Sequence, residues 1–302
     1  MNKKFLYLML LCGACASDAD PSVGQTAQDM ISLNGKSLNG VSLNGISLNG
    51  ASLAGQTITS VALKGINASG TAITASSAAA SLAPWTGAGL VGSTWSATTS
   101  AGATVSLRID GATQGTAPNA EMWFYNVSYQ GASGWSPVCG VDASSTPIQA
   151  VAVAGVWGPV GGDATAYASS LSQFTLACRG KTVAKCVELG YKPYKALSAT
   201  LQACVRLLRA DYCGNGTSFT VDGTTLNLYD NAGVQADTEA WLPEAEWTAS
   251  GASCINKSNN ARYQLLQADV PACFTGAQNA SCGKKFSSGT LLIDELPAGE
   301  VP

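Results

Sequence analysis

The sequence predicts a β-rich α+β protein. An antiparallel sheet domain stapled by disulfides, with two short helices, follows a short pentapeptide-type β-solenoid or a flexible stalk. Three observations lead there. Eight of the ten cysteines lie between residues 139 and 282. The stretch from 90 to 180 alternates short apolar runs with Gly, Ser and Asp turns. From residue 31 a five-residue unit repeats. In chain order this divides into a signal peptide (1–14), a tether (15–30), the repeat (31–75), an Ala/Ser linker (76–88) and a cysteine-rich domain (89–302).

The N-terminus reads as an address. Asn2-Lys3-Lys4 is a short basic start, followed by the apolar run from Phe5 to Leu11. Seven helical residues span about 10 Å against a bilayer core of ~30 Å, so this is an export signal rather than a membrane span. Ala14-Cys15-Ala16 suits ordinary cleavage after Ala16. Leu11-Cys12-Gly13-Ala14-Cys15 resembles a bacterial lipobox, which would make Cys15 the lipidated first residue. Cys12 stands where such boxes carry Leu. By resemblance to Gram-negative sorting, Ala16 after the lipid implies the outer membrane.

The repeat begins Ile31-Ser-Leu-Asn-Gly35, Lys36-Ser-Leu-Asn-Gly40, Val41-Ser-Leu-Asn-Gly45, Ile46-Ser-Leu-Asn-Gly50 and keeps its register through Leu53, Ile58, Leu63, Ala68 and Ile73. A period of five fits neither a helix nor an alternating strand. A coil that turns a corner every five residues fits it, with Leu inward and Gly or Asn at the corners. The nine units make little more than two coils, short for a solenoid whose repeats are buried only by neighbours. A stalk is the other reading.

Cys139, Cys178, Cys186, Cys204, Cys213, Cys254, Cys273 and Cys282 are even in number, with no CxxC spacing and no His anywhere in the chain. Four disulfides of an exported protein are expected, among 105 connectivities, and no metal site or cofactor. Strands are expected over Thr104–Ile109, Glu121–Tyr129 and Pro147–Trp157, and helices over Thr182–Leu189 and Ser198–Ala210. The second helix places Leu201, Cys204, Val205 and Leu208 on one face, with Gln202, Arg206 and Arg209 on the surface. Cys186 shares its helix's apolar side with Val183 and Val187, which suits a bond between the two helices. Asp222-Gly223 is the expected turn of a hairpin from Ser218 to Tyr229.

Phe174-Thr-Leu-Ala-Cys178, Ala184-Lys-Cys186, Gly190-Tyr-Lys-Pro193 and Gln202-Ala-Cys204 lead to Arg209-Ala210-Asp211-Tyr212-Cys213. Tyr229-Asp230, Glu244-Ala-Glu-Trp247 and Cys254 follow, and Trp135-Ser-Pro-Val-Cys139 and Gly155-Val-Trp157 precede. Over roughly 90–285 this series resembles the ADYC domain, a family of exported or lipoprotein-anchored bacterial proteins, mostly myxobacterial. The resemblance implies a compartment and no activity.

Lys plus Arg number 16 against 19 acids, a net charge of −3, so nucleic acid is not an expected partner. The absence of His removes Ser-His-Asp and Cys-His catalysis, and no G-x-S-x-G, phosphate loop or dinucleotide fingerprint occurs. Several residues still carry candidate chemistry. Asp211 is either an acid, base or ligand held low by Arg209, or a helix-exit hydrogen-bonder beside a packed Tyr212 and a stapling Cys213. Glu239, Glu244 and Glu246 beside Trp241 and Trp247 suit either a glycosidase-like carboxylate pair or solvated charges around core aromatics. Ser281 and Lys284 have the spacing of a Ser/Lys nucleophile pair. Asp222, Asp230, Asn231 and Asp237 offer calcium ligands without calcium-loop spacing. The seven tryptophans line a carbohydrate or peptide groove, or form core. The expected protein is an envelope lipoprotein with a non-catalytic surface, binding or structural role, held to the membrane by its lipid alone. Its partner is an envelope, matrix, glycan or protein component. A carboxylate-dependent hydrolase using Asp211, Asp230, Glu239, Glu244 or Glu246 is the alternative.

Overall fold

The computed structural model describes residues 31–33, 47–53, 56–63, 73–77, 85–98, 104–157, 167–168, 174–257, 260–275, 282 and 285–299. The signal peptide, the tether and Cys15 lie outside them, as do Ser281 and Lys284. Of the repeat, only parts are described, and the choice between solenoid and stalk rests on units that are not.

The described repeat residues form antiparallel strands. β1 (Ile31–Leu33) joins a five-stranded sheet, and β2 (Ser47–Leu53), β3 (Gln56–Leu63) and β4 (Ile73–Ser77) join a ten-stranded one. The rest of the large sheet comes from β5 (Trp85–Thr86), β6 (Thr94–Thr98), β7 (Thr104–Gln114), β8 (Trp123–Gly131), β9 (Gly134–Pro137), β10 (Ala150–Ala154) and β13 (Phe174–Cys178). Its order is β13, β10, β8, β7, β6, β2, β3, β4, β5, with β9 on β8. A small pair, β11 (Val156–Trp157) and β12 (Tyr167–Ala168), stands apart.

Alternation along the strands sorts side chains into two cores, because successive residues point to opposite faces. On β10, Val151 and Val153 enter one core while Ala150 and Ala152 enter the other. On β8, Phe124 goes to the first, and Tyr125 and Val127 to the second. The second core, with Leu107, Ile109 and Leu176, also holds the Cys139–Cys178 bridge.

The first core surrounds two helices, α1 (Thr182–Glu188) and α2 (Ser198–Arg209), each ending within one residue of the sequence expectation. α1 packs near β13, and α2 lies on the five-stranded sheet. That sheet runs β1, β14 (Thr225–Asp230), β17 (Leu292–Leu296), β15 (Leu242–Thr248), β16 (Gly251–Ile255). The helices thus form a layer between two sheets, which explains why both are apolar on more than one side. A third helix, α3 (Arg262–Leu265), was not expected.

Two expectations need correction. Arg206 and Arg209 are not on the surface: they are 3% and 7% exposed, because the chain after α2 folds back over that side of the helix. The Asp222-Gly223 turn forms, with the Thr224 N–H donating to the Val221 carbonyl and Gly223 at φ +91°, but its first arm is not a strand. β14 pairs instead with β17 and β1.

All eight described cysteines pair: Cys139–Cys178, Cys186–Cys204, Cys213–Cys273 and Cys254–Cys282. The second ties α1 to α2. Among the described residues no helix is long and apolar enough to cross a membrane.

Candidate functional site

The segment following α2 is a turn closed by its own side chains. Ala210 takes a left-handed conformation (φ +50°), and its N–H reaches back to the Arg206 and Leu207 carbonyls. Asp211, fully buried, accepts from Arg206 Nη1 at 2.7 Å and from the Gly216 N–H at 3.1 Å. Arg206 makes this contact because residues five apart across a helix end meet when the chain reverses. Arg209 donates to the Gly216 carbonyl at 2.8 Å. Cys213 locks the turn to Cys273. The strap through Ser250 and Gly251 crosses it so closely that a Cβ on Gly214 would sit 1.9 Å from the Ser250 carbonyl oxygen.

Tyr212 leads inward to a second cluster. Its ring stacks on Trp247 (centroids 5.4 Å apart) and meets Tyr263 edge-on. Its hydroxyl donates to Glu244 Oε1. Arg262, fully buried on α3, donates from Nε to Glu244 Oε2 at 2.7 Å and from Nη2 to Asp294 Oδ2 at 2.8 Å. It also donates to the Leu207 carbonyl at 2.7 Å and to Thr220. Trp247 Nε1 donates to Asp294 Oδ1 at 2.8 Å. Burial and the neighbouring Glu244 hold the Asp294 carboxyl well above the usual carboxylate range, against the pull of Arg262. Burial and Glu244 likewise push the Tyr212 phenol up. For Arg262 burial works the other way, and the two acids outweigh it, so the guanidinium stays charged.

Glu246 and Asp230 are engaged as well. Glu246 Oε2 accepts from the Ser287 hydroxyl and N–H and from Thr290. Glu246 and the sulfurs of Cys254 and Cys282 come within 4.8 Å of one another, the spacing of a three-ligand metal site. Both sulfurs are consumed in a disulfide, which leaves no thiolate to bind metal. Asp230 accepts from the N–H groups of Ala232, Val234 and Gln235 and from the Tyr191 hydroxyl, so it organises its own loop. Asp222, Asn231 and Asp237 are exposed, and Glu239 and Trp241 are half-buried. The structure does not gather these into a cluster with Asp230.

Glu295 lies next to Asp294 on β17 but on the other side of the strand, where it accepts from Asn227 and Tyr229. Arg262, Asp294 and Glu295 carry no motif in the sequence. The available signal is two adjacent acids inside an apolar strand, Leu292-Ile-Asp-Glu-Leu296. Adjacent strand residues face opposite ways, so both faces had to be covered and each acid needed a partner.

A pocket of about 140 Å³ lies elsewhere, beside the loop from Gly115 to Asn119. Gln114, Thr116, Asn119, Phe124, Gln149 and Arg179 contribute to its lining. Arg179 lies 4.0 Å above the Phe124 ring and is bonded by Glu188 and Gln149. None of Asp211, Asp230, Glu239, Glu244 and Glu246 lines it.

A family model described as the ADYC domain matches residues 87–261, more than half of the chain. The match takes in Arg209, Ala210, Asp211, Tyr212 and Cys213, as the sequence resemblance implied. Comparison with curated proteins and with solved structures gives no match.

Proposed function

Since this chain belongs to the ADYC domain family, we propose that it is an exported cell-envelope protein whose body binds or builds rather than catalyses. Export accounts for the four disulfides, which persist in oxidising compartments. In this reading residues 1–14 are the signal, Cys15 takes the lipid, and Ala16 directs the protein to the outer membrane.

The observation that carries the non-catalytic reading is the internal engagement of four of the five nominated acids, all but Glu239. A general acid or nucleophile must present its carboxyl to a substrate. Asp211, Asp230, Glu244 and Glu246 instead spend their oxygens on Arg206, loop amides, Arg262 with Tyr212, and Ser287 with Thr290. They act as internal ties in a rigid display scaffold.

Two measurements test this. Intact mass and non-reducing peptide mapping of protein taken from its native envelope should give a diacyl or triacyl mass on Cys15 and four bridges. An unmodified chain starting near Ser17 would make it a released factor. Amide substitutions at Asp211, Glu244 and Glu246 should lower the thermal midpoint. A variant that abolished turnover of an envelope glycan while leaving the midpoint unchanged would establish the hydrolase instead.

A further inference from the structure

The outer face of the β6–β9 ribbon carries a constellation that the packing does not require. Along β7, Leu107 and Ile109 are buried in the second core, while Ser106, Arg108 and Asp110 point the other way. Arg108 stands opposite Ser128 on β8 and Thr94 on β6. Trp135 on β9 stands opposite Gln130. The Arg108 guanidinium lies 4.6 Å over the Trp135 ring, and its Nε donates to Asp110 Oδ1 at 2.5 Å. The Ser128 hydroxyl donates to the other oxygen of Asp110.

Arg108 is therefore held at its Nε and by its flat face, while Nη1 and Nη2 have no hydrogen-bond partner among the described residues. Its side chain is 36% exposed and that of Asp110 33%. Ser96, Ser106 and Gln130, on the same side of the ribbon, are exposed. A fixed donor fork, a fixed carboxylate and an aromatic ring thus stand together on a strip about 14 Å across four strands.

We propose that this strip is a docking site for a neutral glycan chain. A sugar hydroxyl both donates and accepts, so neighbouring hydroxyls match a donor-only Arg108 beside an acceptor-only Asp110. Charge-assisted hydrogen bonds of this kind are the stronger ones. The C–H face of a pyranose packs on the apolar indole and guanidinium planes. The Arg108–Asp110 pair has no net charge, and the whole chain carries −3, which disfavours a polyanion. The site is open, so affinity is expected near a dissociation constant of about 0.1–1 mM.

This inference deepens the binding role proposed above and rests on it. The test is calorimetric titration of the full chain with neutral hexasaccharides (cello-, xylo-, malto- and chitohexaose) and with hexagalacturonate as the anionic control. At least one neutral chain should bind, and hexagalacturonate should bind at least tenfold more weakly. Arg108→Lys keeps the charge but loses the planar fork and should weaken binding about tenfold. Asp110→Asn should do the same, and either variant should leave the thermal midpoint within about 2 °C. Trp135→Ala should abolish binding, but Trp135 is half-buried, so the two milder variants decide. The proposal is overturned if no neutral hexasaccharide binds, if hexagalacturonate binds more tightly, or if both mild variants bind like the parent. A chain that ignores every sugar yet retains an envelope protein in a pull-down would defeat the glycan site while leaving the binding role standing.

Discussion

Replacing Arg262 by Leu removes the only cation bonded to both Glu244 and Asp294 among the described residues. Arg262 is fully buried, and so are the two acids it joins. Breaking one partner of a buried ion pair costs about 3–5 kcal/mol, because the charge left behind has no water to solvate it. The Leu207 carbonyl at the end of α2 and the Thr220 hydroxyl also lose their donor, on the order of 1 kcal/mol more. The total, about 4–6 kcal/mol, is a large part of the 5–15 kcal/mol typical of a whole domain. In guanidinium titrations with the disulfides intact, the midpoint should fall while the slope is unchanged. The thermal midpoint should fall by about 10–20 °C. Without the cation the buried Asp294 carboxyl loses the neighbour that lowers its pKa and holds its proton more tightly in the folded state, so the deficit should be smaller at pH 4.5 than at pH 7. A loss under about 1 kcal/mol, or a deficit independent of pH, would refute the reading of a closed, water-free cluster.

The Asp294 carboxyl, held above its unfolded value by burial, favours folding below the unfolded pKa of about 3.9 and loses that contribution as pH rises through its folded value. Denaturation of Asp294→Asn across pH 4–8 should therefore show a flatter fall of stability with rising pH than the parent. Gly214→Ala should lose about 2–4 kcal/mol in the same assay, since its Cβ would overlap the Ser250 carbonyl and its φ of +66° is strained for Ala. Tyr212→Phe leaves Glu244 without one donor and should cost about 1–3 kcal/mol, with the near-ultraviolet circular dichroism of the Trp247 stack retained. Removing Cys186 and Cys204 together opens an 18-residue separation and should cost about 3 kcal/mol in thermal denaturation.

The parts of the fold that were legible in the sequence are those set by local pattern. The 3.6-residue spacing of Leu201, Cys204, Val205 and Leu208 located α2 to within a residue, and the runs around Leu107, Tyr125 and Val151 were strands. The Cys186–Cys204 bridge followed from the two helix faces. The burial of Arg206 and Arg209 was illegible, because residue type marks them as surface and only the returning chain covers them. At Asp211 the hydrogen-bonding role at the helix exit is one of the two sequence readings, while the part played by Arg206 is visible only in the structure.

By itself the sequence determined the cysteine count, the leader-like start, the repeat, the period of each element and the family motif, all of which are properties of neighbours along the chain. Tertiary structure alone decided how the other six cysteines paired. It also decided that Arg262 would meet Glu244 and Asp294 across 18 and 32 residues, and that Arg108 would lie on Trp135 rather than in solvent. These are contacts between elements whose order in the sheets is not their order in the chain. Their energies come from burial and closure that no short window of residues contains.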